Sequence, residues 1–414
     1  MDPAEMRFRN FVQPAQMPHT TPSGEVYESG DYPECLRKAL ALAHYEEFRK
    51  QQAALREKGQ YVGIGISAGM EPGTANLGYY EVNMDKKTQY LGNAEGAIVG
   101  IDYDGNANVS IGSVDTGQGH ATTIAQVVSD MLGISPDRVF VNNQHDSLIS
   151  PFLGHSGVYS NKFNDVDLGA VIKATEKIRN KMLRIAAHML QTEIAELRFK
   201  DGAIFSKSLP GNELSFREIS SLAYKRISLL PEDMEPGLKE IAYYRNPAAK
   251  IPRKEDFTVQ LTHANSIHVV TVQVDIETGA VAFLKYVIVH DCGNIINPAI
   301  VDGMTIGSTV HAIGATFLEE FVYNDNGQLL TTSFMDYLKP LASGMPHFEI
   351  GHVHTPCPNT LLGTKSAGEG GAIGSLAAVA NAVEDALTPF DVRVRSLPIT
   401  PEKIVNAVRR RGEL

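Results

Sequence analysis

One carboxylate, Glu369, stands alone among glycines in Gly363-Thr-Lys-Ser-Ala-Gly-Glu-Gly-Gly-Ala-Ile-Gly-Ser375. Glycines accept positive φ and let a ligand approach the backbone closely. The alanine-rich run from Leu376 to Leu387 that follows reads as a helix, and a helix start offers free N–H groups to an anion. Lys365 lies four residues before the glutamate. Such a segment could place a general base beside a bound group. As a single motif it is better described as a glycine-rich turn carrying a solvated glutamate, and the weight shifts only with a second motif. A second glycine-rich helix start, Asp115-Thr-Gly-Gln-Gly-His-Ala-Thr-Thr123, lies far upstream. Its Gln118 offers both an amide donor and an acceptor.

Together these stretches resemble the molybdenum-cofactor-binding large subunits of the xanthine oxidase family, which includes xanthine dehydrogenases, aldehyde oxidoreductases and aerobic carbon monoxide dehydrogenases. Further matching stretches are Met1-Asp-Pro-Ala-Glu-Met-Arg-Phe-Arg-Asn-Phe11, Ser29-Gly-Asp-Tyr-Pro33, His290-Asp-Cys-Gly-Asn-Ile-Ile-Asn-Pro-Ala-Ile-Val-Asp-Gly303 and Phe334-Met-Asp-Tyr-Leu338. The resemblance runs along the whole chain in the family's order. It implies a bound molybdopterin, usually a cytosine dinucleotide in bacteria, whose pterin edge alternates donors and acceptors. Thr116, Gly117, Gln118 and Gly119 take the family's cofactor-contact positions, and Gly368 takes another beside the glutamate.

Glu369 matches the family's catalytic glutamate. The resemblance implies that it serves as general base on Mo–OH while water supplies the oxygen, and burial in a dry pocket would lift such a carboxyl toward the working range. Lys365 matches a family lysine that positions cofactor or transition-state charge. Pro151-Phe-Leu-Gly-His-Ser-Gly-Val-Tyr-Ser-Asn-Lys162 stands where a second cofactor loop runs, with Ser160 and Asn161 toward the metal end. The family usually ends that loop in Ser-Arg, and this chain departs from it. A further departure is Met304, where the family's Val-Asp-Gly-Gln places a cofactor-bonded Gln; a thioether is a poor partner for a pterin. Ser67-Ala-Gly-Met-Glu-Pro-Gly-Thr-Ala-Asn76 corresponds to part of the substrate wall, with Met70 and Glu71 as candidates.

No metal is expected to be held directly by a side chain. His352, His354 and Cys357 fit no standard zinc spacing, and His120, His145 and His155 read as loop and helix-entry polarity. The upstream half of the family's large subunit, with its active-site loop, has no counterpart in this sequence. The expectation is therefore a split or partial molybdenum subunit of a hetero-oligomeric hydroxylase or dehydrogenase acting on an aldehyde or N-heterocycle. A chain carrying the other half would complete the pocket, and partner subunits would carry 2Fe-2S clusters and FAD. The alternative is a non-catalytic structural or assembly subunit that has lost cofactor binding.

The elements that must position these residues read as α+β, with two subdomains of mixed sheet and packed helices. A chain of 414 residues with 43% hydrophobic and 21% charged content can bury a large core. A net charge of −11 argues against nucleic acid as a partner. Three scattered cysteines make no disulfide framework and no iron–sulfur spacing. There is no basic-then-apolar leader or membrane-length apolar run, and a reducing cytoplasm fits.

Periodicity predicts a helix over 34–58 that ends at Gly59, as the tail (1–58) of a first cofactor-binding domain. A subdomain over 59–226 follows. It holds a strand at Tyr61–Ile66, an irregular loop from Gly69 to Gly78, a hairpin over Tyr103–Asn106 and helices near 121–132 and 168–192. A Pro-, Glu- and Lys-rich connection covers 227–256. The second subdomain, 257–414, holds long paired strands at 259–276 and 281–289, a helix over 303–319, strands at 320–323 and 347–354, and the glutamate loop.

Overall fold

The computed structural model describes residues 1–75, 94–153, 156–208, 211–250 and 258–410. His155, Asn76 and part of the 227–256 connection lie outside the described residues. In chain order the protein opens with α1 (Pro3–Asn10), β1 (His19–Thr20), β2 (Val26–Tyr27), α2 (Tyr32–Leu42) and α3 (Tyr45–Glu57). Then come β3 (Tyr61–Ala75), β4 (Ala94–Ile101), β5 (Ala107–Ile111), α4 (His120–Leu132), β6 (Val139–Asn142) and α5 (Val166–Leu190). A small sheet of β7 (Leu197–Lys200), β8 (Ala203–Ser206) and β9 (Glu213–Ser215) leads to α6 (Phe216–Tyr224) and β10 (Lys239–Arg245). The last elements are β11 (Gln260–Val274), β12 (Val281–Asp291), α7 (Pro298–Phe317), β13 (Phe348–His352), α8 (Gly370–Ala386) and α9 (Pro401–Arg410). The class is α+β.

Two four-stranded sheets organise the chain, in the orders β10-β4-β5-β6 and β13-β12-β11-β3. Each is mixed: β5 runs parallel to β6 and β12 parallel to β13, while the remaining pairs are antiparallel. The first sheet is covered by α4 and α5, whose Ile124, Val128, Val171, Ile178 and Met182 are fully buried against Val99, Val109 and Ile111. The second is covered on one face by α8 and on the other by α2.

The composition-based division at 227–256 does not separate the two sheets. Tyr61–Ala75 pairs antiparallel with Gln260–Val274, and Lys239–Arg245 with Ala94–Ile101. One sheet thus joins β3, before the connection, to β11–β13 after it, and the other takes β10 from within the connection itself, because hydrogen-bond partners are chosen by register and burial rather than by sequence proximity.

Three local expectations change. The helix over 34–58 is two helices, broken where His44 takes a left-handed φ of 50°. Glu320–Tyr323 forms no ladder and makes only an isolated bridge from Tyr323 to Leu329. The loop expected from Gly69 to Gly78 is instead β3 as far as Ala75. Glycine depresses intrinsic strand propensity, but here it is a packing residue. Gly63 and Gly65 lie on one face of β3, where an added Cβ would come within 2.1 Å of Ala382 O and 2.0 Å of Ala378 O. Ala378, Ala382 and Ala386 recur at i, i+4 spacing on α8 and are fully buried. A bare strand face therefore meets a small-residue helix stripe, and the helix backbone rests on the strand.

Candidate active site

The close seat of α8 on β3 places the helix start over Glu71, which follows Gly63 and Gly65 on the same face of β3. Glu369 is the residue preceding α8. Two side chains fix the first turn from below: Ser266 Oγ donates to Gly370 O at 2.7 Å, and His268 Nε2 donates to the same carbonyl at 3.1 Å. Complete burial holds His268 neutral, with its pKa pushed down to about 4. Gly374 lies against that imidazole, where a Cβ would be 2.4 Å from Cδ2.

The loop leading to Glu369 is anchored along its length. Lys365 N donates to Cys292 O at 2.7 Å, and Thr364 Oγ1 donates to Asn164 O at 2.6 Å. Gly368 N and Glu369 N both donate to Glu71 Oε1, at 2.9 and 3.0 Å. Asn161 Nδ2 bridges the two carboxyls, donating to Glu369 Oε2 at 2.5 Å and to Glu71 Oε1 at 3.1 Å. Asn161 and its neighbour Ser160 have positive φ, 50° and 53°. Left-handed backbone in two successive non-glycine residues costs energy and concentrates at functional loops.

A cavity of about 140 Å³ opens beside this turn. Gln118, Asn161, Met304, Lys365 and Gly368 all contribute to its wall, so five of the site residues expected from sequence converge there. Gln118 arrives through the loop before α4. Asp115 Oδ1 accepts Gly117 N and Gln118 N at 2.9 and 3.0 Å, and Oδ2 accepts His120 N at 3.1 Å. His120 stacks on Phe163 at 3.6 Å between ring centroids, and burial lowers its pKa to about 4. Met304 reaches the cavity from α7. Thr116 and Gly117 line the loop outside the cavity, and Gly119 faces the Ile300 side chain.

Four expected residues are placed differently from their sequence reading. Ser160 turns away from the cavity and donates its hydroxyl to Gln260 Oε1 at 2.9 Å. Met70 and Glu71 are successive strand residues and so face opposite sides of β3; Met70 lines a separate cavity of about 240 Å³ with Phe11, Tyr27 and Tyr32. The two cannot wall one substrate.

Glu71 is 2% exposed and holds the glutamate turn. Burial, then the adjoining Glu369 side chain, raises its pKa well above the carboxylate range. Lys365 has its ammonium turned toward Asp291 Oδ2 (3.8 Å), Thr355 Oγ1 (3.0 Å) and Ser29 O (3.1 Å). Its charge is used in a buried pair that anchors the loop, which leaves only its stem toward the cavity.

Glu369 itself is exposed. The dry pocket expected around it is not built by this chain's described residues, because none of them covers the carboxylate.

Sequence reasoning missed Asp115 as organiser of the Gln118 loop and His290 as a neighbour of Glu71, its Nε2 3.9 Å from Glu71 Oε2. His290 lay inside a quoted motif, but only cross-strand pairing shows what it faces.

The fit to a pterin is favourable at Gln118 and Asn161. Both residues line one cavity beside glycine backbone. Gln118 Oε1 accepts from Thr116 N at 2.8 Å and Asn161 Nδ2 donates to the two carboxyls, so the pair would offer a pterin the Gln118 amide N–H groups and the Asn161 carbonyl oxygen. Met304 is the exception.

A family profile described as "Molybdopterin cofactor-binding domain" matches residues 38–346. The chain belongs to this molybdopterin-binding family, that of the xanthine oxidase-type large subunits. It is 34% identical over 410 residues to the nicotine 6-hydroxylase large subunit of Paenarthrobacter nicotinovorans, covering 99% of this chain and 48% of the relative. It is 30% identical to the carbon monoxide dehydrogenase large chain of Afipia carboxidovorans, over 93% of this chain and 46% of that one. The solved quinoline 2-oxidoreductase of Pseudomonas putida 86 superposes with a TM-score of 0.86 at 31% identity, covering 99% of this chain and 50% of the other. The chain thus spans about half the length of the curated relatives it matches.

Among the described residues no helix is long and apolar enough to cross a membrane.

Proposed function

We propose that this chain is the C-terminal half of a molybdenum hydroxylase large subunit, and that Glu369 is the general base of the reaction. The observation that carries this reading is Asn161, which lines the cavity and whose amide holds the Glu369 carboxylate next to it. A base must stand within hydrogen-bond reach of the proton it takes, geometry first and pKa second.

Gln118, Asn161 and the backbone around Gly368 would hold the pterin end of the cofactor, as a cytosine dinucleotide. When bound, that cofactor supplies two-electron redox chemistry. Glu369 accepts a proton from attacking water at Oε1, while Oε2 stays on the Asn161 amide. The exposed face of Glu369 leaves room for the substrate and for the other half of the subunit to exclude water. Phe334 and Met335, 78% and 89% exposed, lie in a stretch rich in exposed apolar side chains, which suits docking of a second polypeptide. Iron–sulfur and FAD subunits would receive the electrons, and the cytoplasm is the proposed location. Nicotine and quinoline, in the names of two similar proteins, are N-heterocycles, and that substrate class is favoured over an aldehyde.

The test is Glu369→Gln in the assembled complex. Molybdenum content should equal that of the parent, and turnover of an N-heterocycle should fall by about 10²–10⁴-fold, the usual cost of removing a general base. Turnover near that of the parent would remove Glu369 from the mechanism.

A further inference from the structure

The carboxyl of Glu71 is bonded asymmetrically. Oε1 accepts all three of its donors: Gly368 N at 2.9 Å, Glu369 N at 3.0 Å and Asn161 Nδ2 at 3.1 Å. Oε2 is buried and accepts none. An ionised carboxylate presents two equivalent acceptors, whereas a carboxylic acid presents one acceptor and one hydroxyl. Oε2 therefore has no partner that would stabilise a negative charge on it.

The surroundings agree with this. On β3 itself the neighbouring side chains on the same face are glycines and Ser67. From α8 the facing charge is Glu369. From β12 comes His290, Nε2 3.9 Å from Oε2 and held neutral by burial at a pKa of about 3. Beyond it lie the Cys292 thiol and the Lys365–Asp291 pair, whose ammonium is already bonded to Thr355 and Ser29. Among the described residues no Lys or Arg nitrogen lies within 4.0 Å of Glu71. Two adjoining carboxyls resist sharing two charges, and the proton goes to the member that water cannot reach. Glu71 is 2% exposed and Glu369 is exposed.

We infer that Glu71 is a positioning residue for Glu369: a carboxylic acid that keeps its proton, fixes the turn through two backbone N–H groups and one amide, and leaves the negative charge of the pair on Glu369. This rests on Glu369 as the base, although Glu71's protonation and its hold on the turn can be measured without turnover. Asn161 ties the two functions together. By bonding to both carboxyls it keeps Glu369 Oε2 next to the cavity, and it is itself held by the oxygen that accepts the loop. The two successive positive-φ residues at 160 and 161 fit this role, because the strained turn brings the amide between the carboxyls.

The experiment uses the purified chain with two variants, Glu71→Gln and Glu71→Leu. Infrared difference spectra at neutral pH should contain the carbonyl stretch of a protonated carboxylic acid in the parent that Glu71→Gln lacks. Buried Asp165 and Asp167 contribute equally to both samples and cancel. Hydrogen exchange over the peptide containing Gly368 and Glu369 should keep parental protection in Glu71→Gln, whose amide oxygen accepts the same donors. Protection should fall about tenfold or more in Glu71→Leu, since roughly one to two net hydrogen bonds are lost. An unchanged acid band in Glu71→Gln would show that Glu71 is ionised and overturn the inference. So would loss of protection in Glu71→Gln equal to that in Glu71→Leu, which would mean that charge holds the turn. Both readouts are independent of turnover, so a failure here is distinct from a failure of Glu369→Gln.

Discussion

Replacing Gly65 by alanine should disable the site from a distance, through the helix that carries it. The new Cβ would stand 2.0 Å from Ala378 O and 2.5 Å from Ala382 N, both backbone atoms of α8. Ordinary contact begins near 3.4 Å, so strand and helix must part by about 1.4 Å at that level. No side-chain rotation can relieve the clash, since both partners are main chain. Gly→Ala at a compatible site stabilises by about 0.4–1 kcal/mol through the unfolded state, while overpacking a close-packed core costs about 1–3 kcal/mol. The clash wins.

Glu369 immediately precedes that helix, and its N–H is bonded to Glu71 on the strand beneath. Separating the two moves the carboxylate relative to Asn161 and the cavity. A misplacement of about 1 Å can cost roughly 10²-fold in rate. The assay compares thermal unfolding, molybdenum content and turnover of the assembled complex for Gly65→Ala against Gly307→Ala. Gly307 lies in α7, and a Cβ there meets nothing within 4 Å; alanine should instead add up to about 1 kcal/mol of helix propensity. Parental turnover in Gly65→Ala would refute the idea that the bare strand face sets the position of Glu369.

Lys365→Met should act on stability more than on chemistry. It leaves Asp291, whose side chain is fully buried, without its cation, and breaking a buried pair costs about 3–5 kcal/mol. Denaturant unfolding measures this, and a variant as stable as the parent with reduced turnover would return Lys365 to a catalytic role. Asp167→Asn tests the buried acids. Burial, then the Glu95 charge, raises Asp167 to about 7 from 3.8. A raised acid binds more protons when folded, so the parent loses stability as pH climbs from about 4 to about 7. The variant's stability relative to the parent should therefore rise across that window, by up to about 4 kcal/mol; a pH-independent difference in denaturant midpoint would contradict the assignment.

The sequence alone was enough to read the family, the α+β class and the two glycine-rich turns. These are local: glycine at a tight turn, an N-cap and an amide are legible without knowing what they face. It also marked Glu369, the lone carboxylate in its segment, and Gln118, flanked by glycines, and both stand at or beside one cavity.

Tertiary structure decided what each polar group points at. Gly63 and Gly65 read only as glycines within a short strand until the alanine stripe of α8 is laid on them. Lys365 reads as a positive charge beside a base until Asp291, 74 residues earlier in the chain, takes that charge. Glu71 reads as one of a pair of wall residues with Met70 until strand alternation sends the two to opposite faces. Hydrogen-bond partners and burial are long-range properties. They depend on which strands pair across nearly 200 residues of chain, as β3 does with β11, and no local pattern of residue types encodes that pairing.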